Sequence, residues 1–178
     1  DRTIKEMEAV EGYEDRSLFF ASHPQPEERM EVLRQLAKQV KTEESKDVGA
    51  GRLHRVMAPI RADLIRDELN VRRFGAFEVL LDQLIEDGEN LAELYYFKGE
   101  MRRLRAEDGD LEEALKFYSK AREAPGHAPA DLERSAGLVQ HKLGRVQEAR
   151  KSFAAYLRAN PRAADVEIIR HLMQAKAR

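Results

Sequence analysis

Five histidines, His23, His54, His127, His141 and His171, are the residues of this chain whose type could ligate a metal or move a proton at neutral pH. A catalytic zinc helix needs two imidazoles four residues apart on one face, with a glutamate beside them as general base. No two of the five stand three or four residues apart. Glu167 and His171 share the i, i+4 spacing, and on a helix that spacing makes a surface contact. The chain contains no cysteine, which excludes disulfides, thiolate metal sites and cysteine nucleophiles without fixing a compartment. A serine nucleophile elbow, a P-loop and a GxGxxG loop are also missing. The sequence therefore holds no complete active site, no metal ligand set and no cofactor motif.

Charge narrows the partners. The 178 residues carry 31 Lys and Arg against 33 Asp and Glu, a formal net charge of −2. So balanced a chain has no global field to draw in a phosphate backbone. Arg102, Arg103 and Arg105 form a short basic cluster that reads as a solvated helix face. Nucleic acid is not expected as a partner. No apolar stretch reaches the ~20 residues of a membrane span, so this chain is not expected to insert into a bilayer. It opens on Asp1 rather than methionine, which suggests a cut N-terminus, and missing targeting signals then say little.

Stepping from single residues to elements, the pattern is helical throughout. β-branched residues are few, no Asn-Gly or Asp-Gly turn separates alternating segments, and most segments are rich in Ala, Leu, Glu, Lys and Arg. The periodicity predicts helices over 58–70, 74–87, 91–105, 111–124, 129–143, 146–158 and 164–175. Asn90 with Glu93, and Asp110 with Glu113, have capping-box spacing. Gly88, Gly109 and Gly144 fall where left-handed helix ends are expected, and Asn160-Pro161 stops the helix before it. The connections are short, so consecutive helices must pack antiparallel as hairpins.

Two hairpins share a register. Gly137, Ala149, Phe153 and Pro161 stand at the offsets of a repeat of about 34 residues, and Tyr95, Gly99, Ala114, Tyr118 and Ala121 follow the same order with about three extra residues near Ala106. Small residues allow close helix approach, and the aromatic fills the gap to the next hairpin. In these residues the chain resembles tetratricopeptide repeats, well over 91–161 and moderately in a degenerate first unit. There Leu64 stands at a packing position, Phe77 replaces the close-contact alanine, and Leu81 and Leu84 follow on one face. The resemblance implies an all-α superhelix of antiparallel hairpins over 54–161, with the segment 162–178 (Asp165, Val166, Ile168, Ile169, Leu172, Met173) as its capping helix.

The first quarter differs. After a charged start, Phe20-Ala21-Ser22-His23-Pro24-Gln25-Pro26-Glu27-Glu28-Arg29-Met30 leads into an apolar stripe of Met30, Leu33, Leu36, Ala37 and Val40. Pro26, Glu27 and Glu28 suit a first helical turn. This stretch resembles one found late in the catalytic domain of HtpX-like zinc metalloproteases, where an apolar residue, Ser/Thr-His-Pro and a Glu-Arg pair open the terminal helix. The periplasmic branch of that family carries tetratricopeptide repeats directly after it. By this resemblance, residues 1–45 are the helical tail of a protease domain, 46–53 a linker, and zinc belongs to the parent protein. His23 would approach the zinc centre there; taken alone it reads as a helix-start residue bonded to backbone. The resemblance also implies a periplasmic or membrane-associated location and work in envelope protein quality control.

Repeat arrays bind on the concave face, lined by the first helix of each hairpin. Aligned on Gly99 and Gly137, that lining is Glu93, Tyr96, Glu100, Arg103 and Leu104, then Asp131, Arg134, Leu138, His141 and Lys142; the first unit would add Ala62, Arg66, Leu69 and Asn70. Tyr96, Arg103, Arg134, His141 and Lys142 are the partner-binding candidates for a protein or peptide ligand, with the cations as carboxylate donors and Tyr96 as an aromatic anchor. Two readings stay open: an interaction module of a larger metalloprotease, or a freestanding tetratricopeptide adaptor in which Ser22-His23-Pro24 is coincidence.

Overall fold

The computed structural model describes residues 26–39, 56–88 and 90–174. Every regular element among them is helical: α1 (Pro26–Gln39), a 3-10 turn (Ala58–Ile60), α2 (Arg61–Asn70), α3 (Phe74–Asp87), α4 (Leu91–Arg105), α5 (Asp110–Glu123), α6 (Leu132–Lys142), α7 (Val146–Ala159) and α8 (Val166–Gln174). The chain divides into two compact units, 1–80 and 81–178. The linker expected over 46–53 and His23 lie outside the described residues.

In the first unit α1 leaves Val32, Leu33 and Leu36 more than half exposed. Pro59 starts the predicted helix as a 3-10 turn, because a proline ring suits the first turn and has no N–H to give. Along α2 the buried residues are Ile65 and Leu69, whereas Leu64 is 46% exposed. The packing face is thus rotated by one position from the expected register. Phe77 is buried.

The second unit is built from paired helices. Between α4 and α5, Lys120 lies over Tyr95, Lys98 over Phe117, Tyr118 against Gly99, and Asp110 against Arg105. One chain index rises while the other falls, so the two helices run antiparallel. Pair α6 and α7 meets at Gly137 and Phe153. Further contacts join α5 to α6, α4 to α6, and α7 to α8.

Helix ends depart from expectation in instructive ways. Gly88, Gly109 and Gly144 all adopt positive φ, as the turns require. The two capping boxes do not form. Asn90 is left-handed (φ 47°) and its side chain caps nothing; its Oδ1 instead accepts from the His127 N–H at 2.7 Å. That bond ties the 124–131 loop to the start of α4, together with Ala92 N–H donating to the Pro125 carbonyl at 3.1 Å. Asp110 is already helical, with Gly109 as N-cap, and its carboxylate accepts two bonds from Arg105 (2.8 and 2.7 Å) and one from the Glu107 N–H. A bidentate guanidinium outcompetes a backbone N–H for the same oxygens. The helix expected from Pro129 begins at Leu132, after a turn closed by Leu132 N–H onto the Pro129 carbonyl.

Candidate partner-binding surface

The first helices of the two hairpins, α4 and α6, carry the candidate residues. Tyr96 is nearly buried, its ring 5.3 Å edge-on from Phe97 and 6.2 Å from Tyr118. Burial pushes its phenol well above the ordinary tyrosine range, helped by the Glu100 charge and opposed by a hydrogen bond from Ser135. Tyr96 is therefore an anchor already set into the protein, joining α4 to α6.

Arg103 is half-buried and doubly bonded to Glu100, at 3.1 and 2.7 Å. The same carboxylate accepts the Tyr118 hydroxyl at 2.5 Å. Burial raises the Tyr118 phenol, and the Glu100 charge and hydrogen bond raise it further. The bond to Glu100 also holds Arg103 more firmly protonated than a free guanidinium. Glu100 is 7% exposed, so this carboxylate survives burial only because a phenol and a guanidinium both serve it.

Arg134 repeats the arrangement one hairpin later. It donates to Asp165, which also accepts the Tyr156 hydroxyl at 2.8 Å. Burial alone would raise the Asp165 carboxyl; Tyr156 and Arg134 hold it below the usual range instead. Burial and that same bond raise the Tyr156 phenol. Asp131 acts on both tyrosines, Tyr96 and Tyr156, through its charge. Along the α4–α6 side of the unit, Arg103 and Arg134 are thus each paired with an acid, and the charges of Glu100 and Asp131 both act on Tyr96.

His141 and Lys142 end α6 in its last turn, half-exposed and exposed respectively. Lys142 there places its positive charge against the negative helix terminus. Sequence reasoning placed Glu100 and Asp131 in the lining but missed Tyr118, Tyr156 and Asp165 as their polar counterparts. One signal was available: Asp131 and Asp165 stand 34 residues apart, one repeat period.

Elsewhere in the unit an open recess of about 340 Å³ lies between α5, α6 and α7. Arg122, Glu133, Glu148 and Lys151 line it with balanced charge, and Arg122 and Glu133 bond each other at 2.7 and 3.0 Å. Among the described residues no group of three His, Cys, Asp or Glu is placed to hold a metal ion. No helix among the described residues is long and apolar enough to cross a membrane. Compared with protein-family models, with curated proteins and with solved structures, the chain matches none.

Proposed function

We propose that this chain is a protein-interaction module, a tetratricopeptide-type superhelix, that serves a larger HtpX-like zinc metalloprotease of the cell envelope by holding protein or peptide partners. One observation carries the repeat reading. Gly99 lies under the Tyr118 ring and Gly137 under the Phe153 ring, each a first-helix glycine against a second-helix aromatic at the same register. That recurrence, beside Ala114 and Ala149 at 0% and 1% exposure, is what the repeat demands of its close-packed pair. The protease relation rests on the Ser22-His23-Pro24 and Glu28-Arg29 resemblance and on its order ahead of the repeats.

The binding half of the proposal is tested with a random-peptide display library selected on the folded chain. Selected peptides are then measured by fluorescence anisotropy against wild type and Lys142→Glu. Reversing one exposed charge should weaken peptides bound along the α4–α6 side by about five- to tenfold, removed attraction plus added repulsion. Peptides that bind both chains equally would refute this surface. The relation to proteolysis is tested in the gene: a His-Glu-x-x-His helix encoded ahead of Asp1 is expected, and a reading frame without one favours the freestanding adaptor. The purified chain itself is expected to leave casein uncut with or without added zinc, and zinc-dependent cleavage would overturn the assignment of a purely binding role.

A further inference from the structure

Helix α8 rests in a seat with three distinct parts. The floor is Ala149, Phe153 and Tyr156, flanked by Leu138 and Leu157, and it receives Ile169 at 1% exposure with Leu172 and Met173 beside it. At the N-terminal end of the seated helix, Arg134 and the Tyr156 hydroxyl both donate to Asp165. At its C-terminal end Arg150 Nε donates to the Met173 carbonyl at 2.7 Å, one of the last-turn acceptors that a helix leaves unsatisfied. The seat thus reads an apolar stripe, an acid ahead of it and a free carbonyl behind it. Those three features together define a helix and its direction.

The occupant is a short element. α8 has nine residues, and Ile169 is its one fully buried side chain. Isolated helices shorter than about 12–15 residues are marginal in water, so α8 exists because it is docked. Its outer side carries the Arg170–Glu167 pair at 2.6 Å together with Ile168, which is 64% exposed. Such an element opens locally at a lower free energy than the helices beneath it.

We propose that the α7 seat is a receptor for an amphipathic helix, filled by α8 in the resting chain. Its partner would be a longer helix with an acid four residues before an Ile or Leu, and further apolar residues three and four beyond. The seat displays that pattern on Asp165, Ile169, Leu172 and Met173. Because α8 competes from within the same chain, the partner must add contact beyond the α8 footprint. This goes beyond the groove reading: the ligand is helical, it binds at the end of the array, and neither a protease nor a peptide strip is required.

The test uses the full chain and a fluorescein-labelled synthetic peptide of residues 163–174. Ile169→Glu unseats α8 by placing a charge on the apolar floor. The peptide should bind that chain and bind wild type at least about tenfold more weakly, since in wild type the seat is mostly filled. Adding Arg134→Ala to Ile169→Glu should weaken the peptide about fivefold, as the anchor for its acid is lost. Absence of binding by an Ile169→Glu chain that keeps its helical circular dichroism overturns the proposal, and so does equal binding to both chains. Should that variant fail to fold, native-state hydrogen exchange on wild type decides: α8 amides must exchange faster than those of α6 and α7, and equal protection in all three overturns it.

Discussion

Replacing Gly137 by alanine sets two effects of opposite sign against each other. In an isolated helix interior the change is favourable by about 1 kcal/mol, because alanine loses less backbone freedom than glycine. In this helix an added Cβ would lie 2.5 Å from Phe153 Cδ1, 2.5 Å from Cε1 and 3.1 Å from Cγ. Ordinary carbon contacts sit at about 3.5–4.0 Å, so roughly 1 Å of separation must be found. The ring cannot yield it, being 0% exposed and closed in by Ala149, Tyr156 and Ile169. Moving α6 away from α7 instead forfeits a quarter to a half of the contact energy of atoms facing a gap of about 0.5–1 Å. Overpacking costs about 1–3 kcal/mol, and contacts this short against a buried ring belong to the upper part of that range, about 2–3 kcal/mol, so after the propensity gain the net loss should be about 1–2 kcal/mol. With a urea m-value near 2 kcal/mol per molar, the midpoint followed by circular dichroism should fall by roughly 0.5–1 M. Phe153→Leu in the same chain should relieve the clash, giving a favourable coupling of about 1 kcal/mol in a double-mutant cycle. A higher midpoint for Gly137→Ala, or strict additivity in the cycle, would refute the close contact as the reason for glycine.

Gly99→Ala should behave alike against Tyr118, whose ring atoms an added Cβ would meet inside contact distance. Tyr118→Phe removes one donor to the buried Glu100 and should lower stability by about 1–3 kcal/mol in the same denaturation assay, while a neutral result would show that Arg103 alone satisfies Glu100. Acid should weaken the fold through Asp110, whose carboxyl is held low by its hydrogen bonds from Arg105 against the opposing effect of burial. A depressed folded pKa contributes stability above the ordinary aspartate value near 4 and loses it as pH falls through the folded value. Asp110→Asn should accordingly flatten the stability profile below about pH 4, and an unchanged profile would count against that ion pair. Truncating Ile169 to alanine should cost about 2–5 kcal/mol and raise hydrogen exchange in α8 before α6, whereas uniform loss across the unit would mean that α8 is no separate opening element.

How far the sequence reached depends on the range of the forces involved. Helix bodies were legible because their signals are local: Phe74–Asp87 and Leu91–Arg105 begin and end where periodicity and Gly88 place them. Close contacts at Gly99 and Gly137 were legible too, since a small residue in a helix interior leaves little purpose other than approach. Caps were not. Asn90 and Asp110 had the right type and spacing, but each was claimed by a partner that spacing cannot reveal. Asn90 holds His127, 37 residues away, and Asp110 holds a guanidinium at the end of the preceding helix. Leu64 fails for a related reason: α2 has apolar residues at 64, 65 and 69, and periodicity alone does not select which pair faces inward.

The candidate surface shows the same limit in its charges. From the sequence Arg103 and Arg134 read as open donors for a partner's carboxylate. In the fold each has already taken an acid, Glu100 and Asp165, and each of those acids is also held by a tyrosine from the second helix of the arginine's own hairpin. An arginine bonded to a buried or half-buried carboxylate has little reason to turn outward, since the carboxylate left behind would lose a charged donor in a site that water enters poorly. Reversing both arginines would therefore strand Glu100 and Asp165, and any loss of binding would be confounded with loss of the fold. His141 and Lys142, in the last turn of α6, carry no such obligation among the described contacts. On the proposed reading, a partner approaching this side meets arginines already paired with acids, so its affinity would come from shape with a modest electrostatic contribution at the α6 terminus. That division of labour is why a single charge reversal at Lys142, rather than at either arginine, separates recognition from stability.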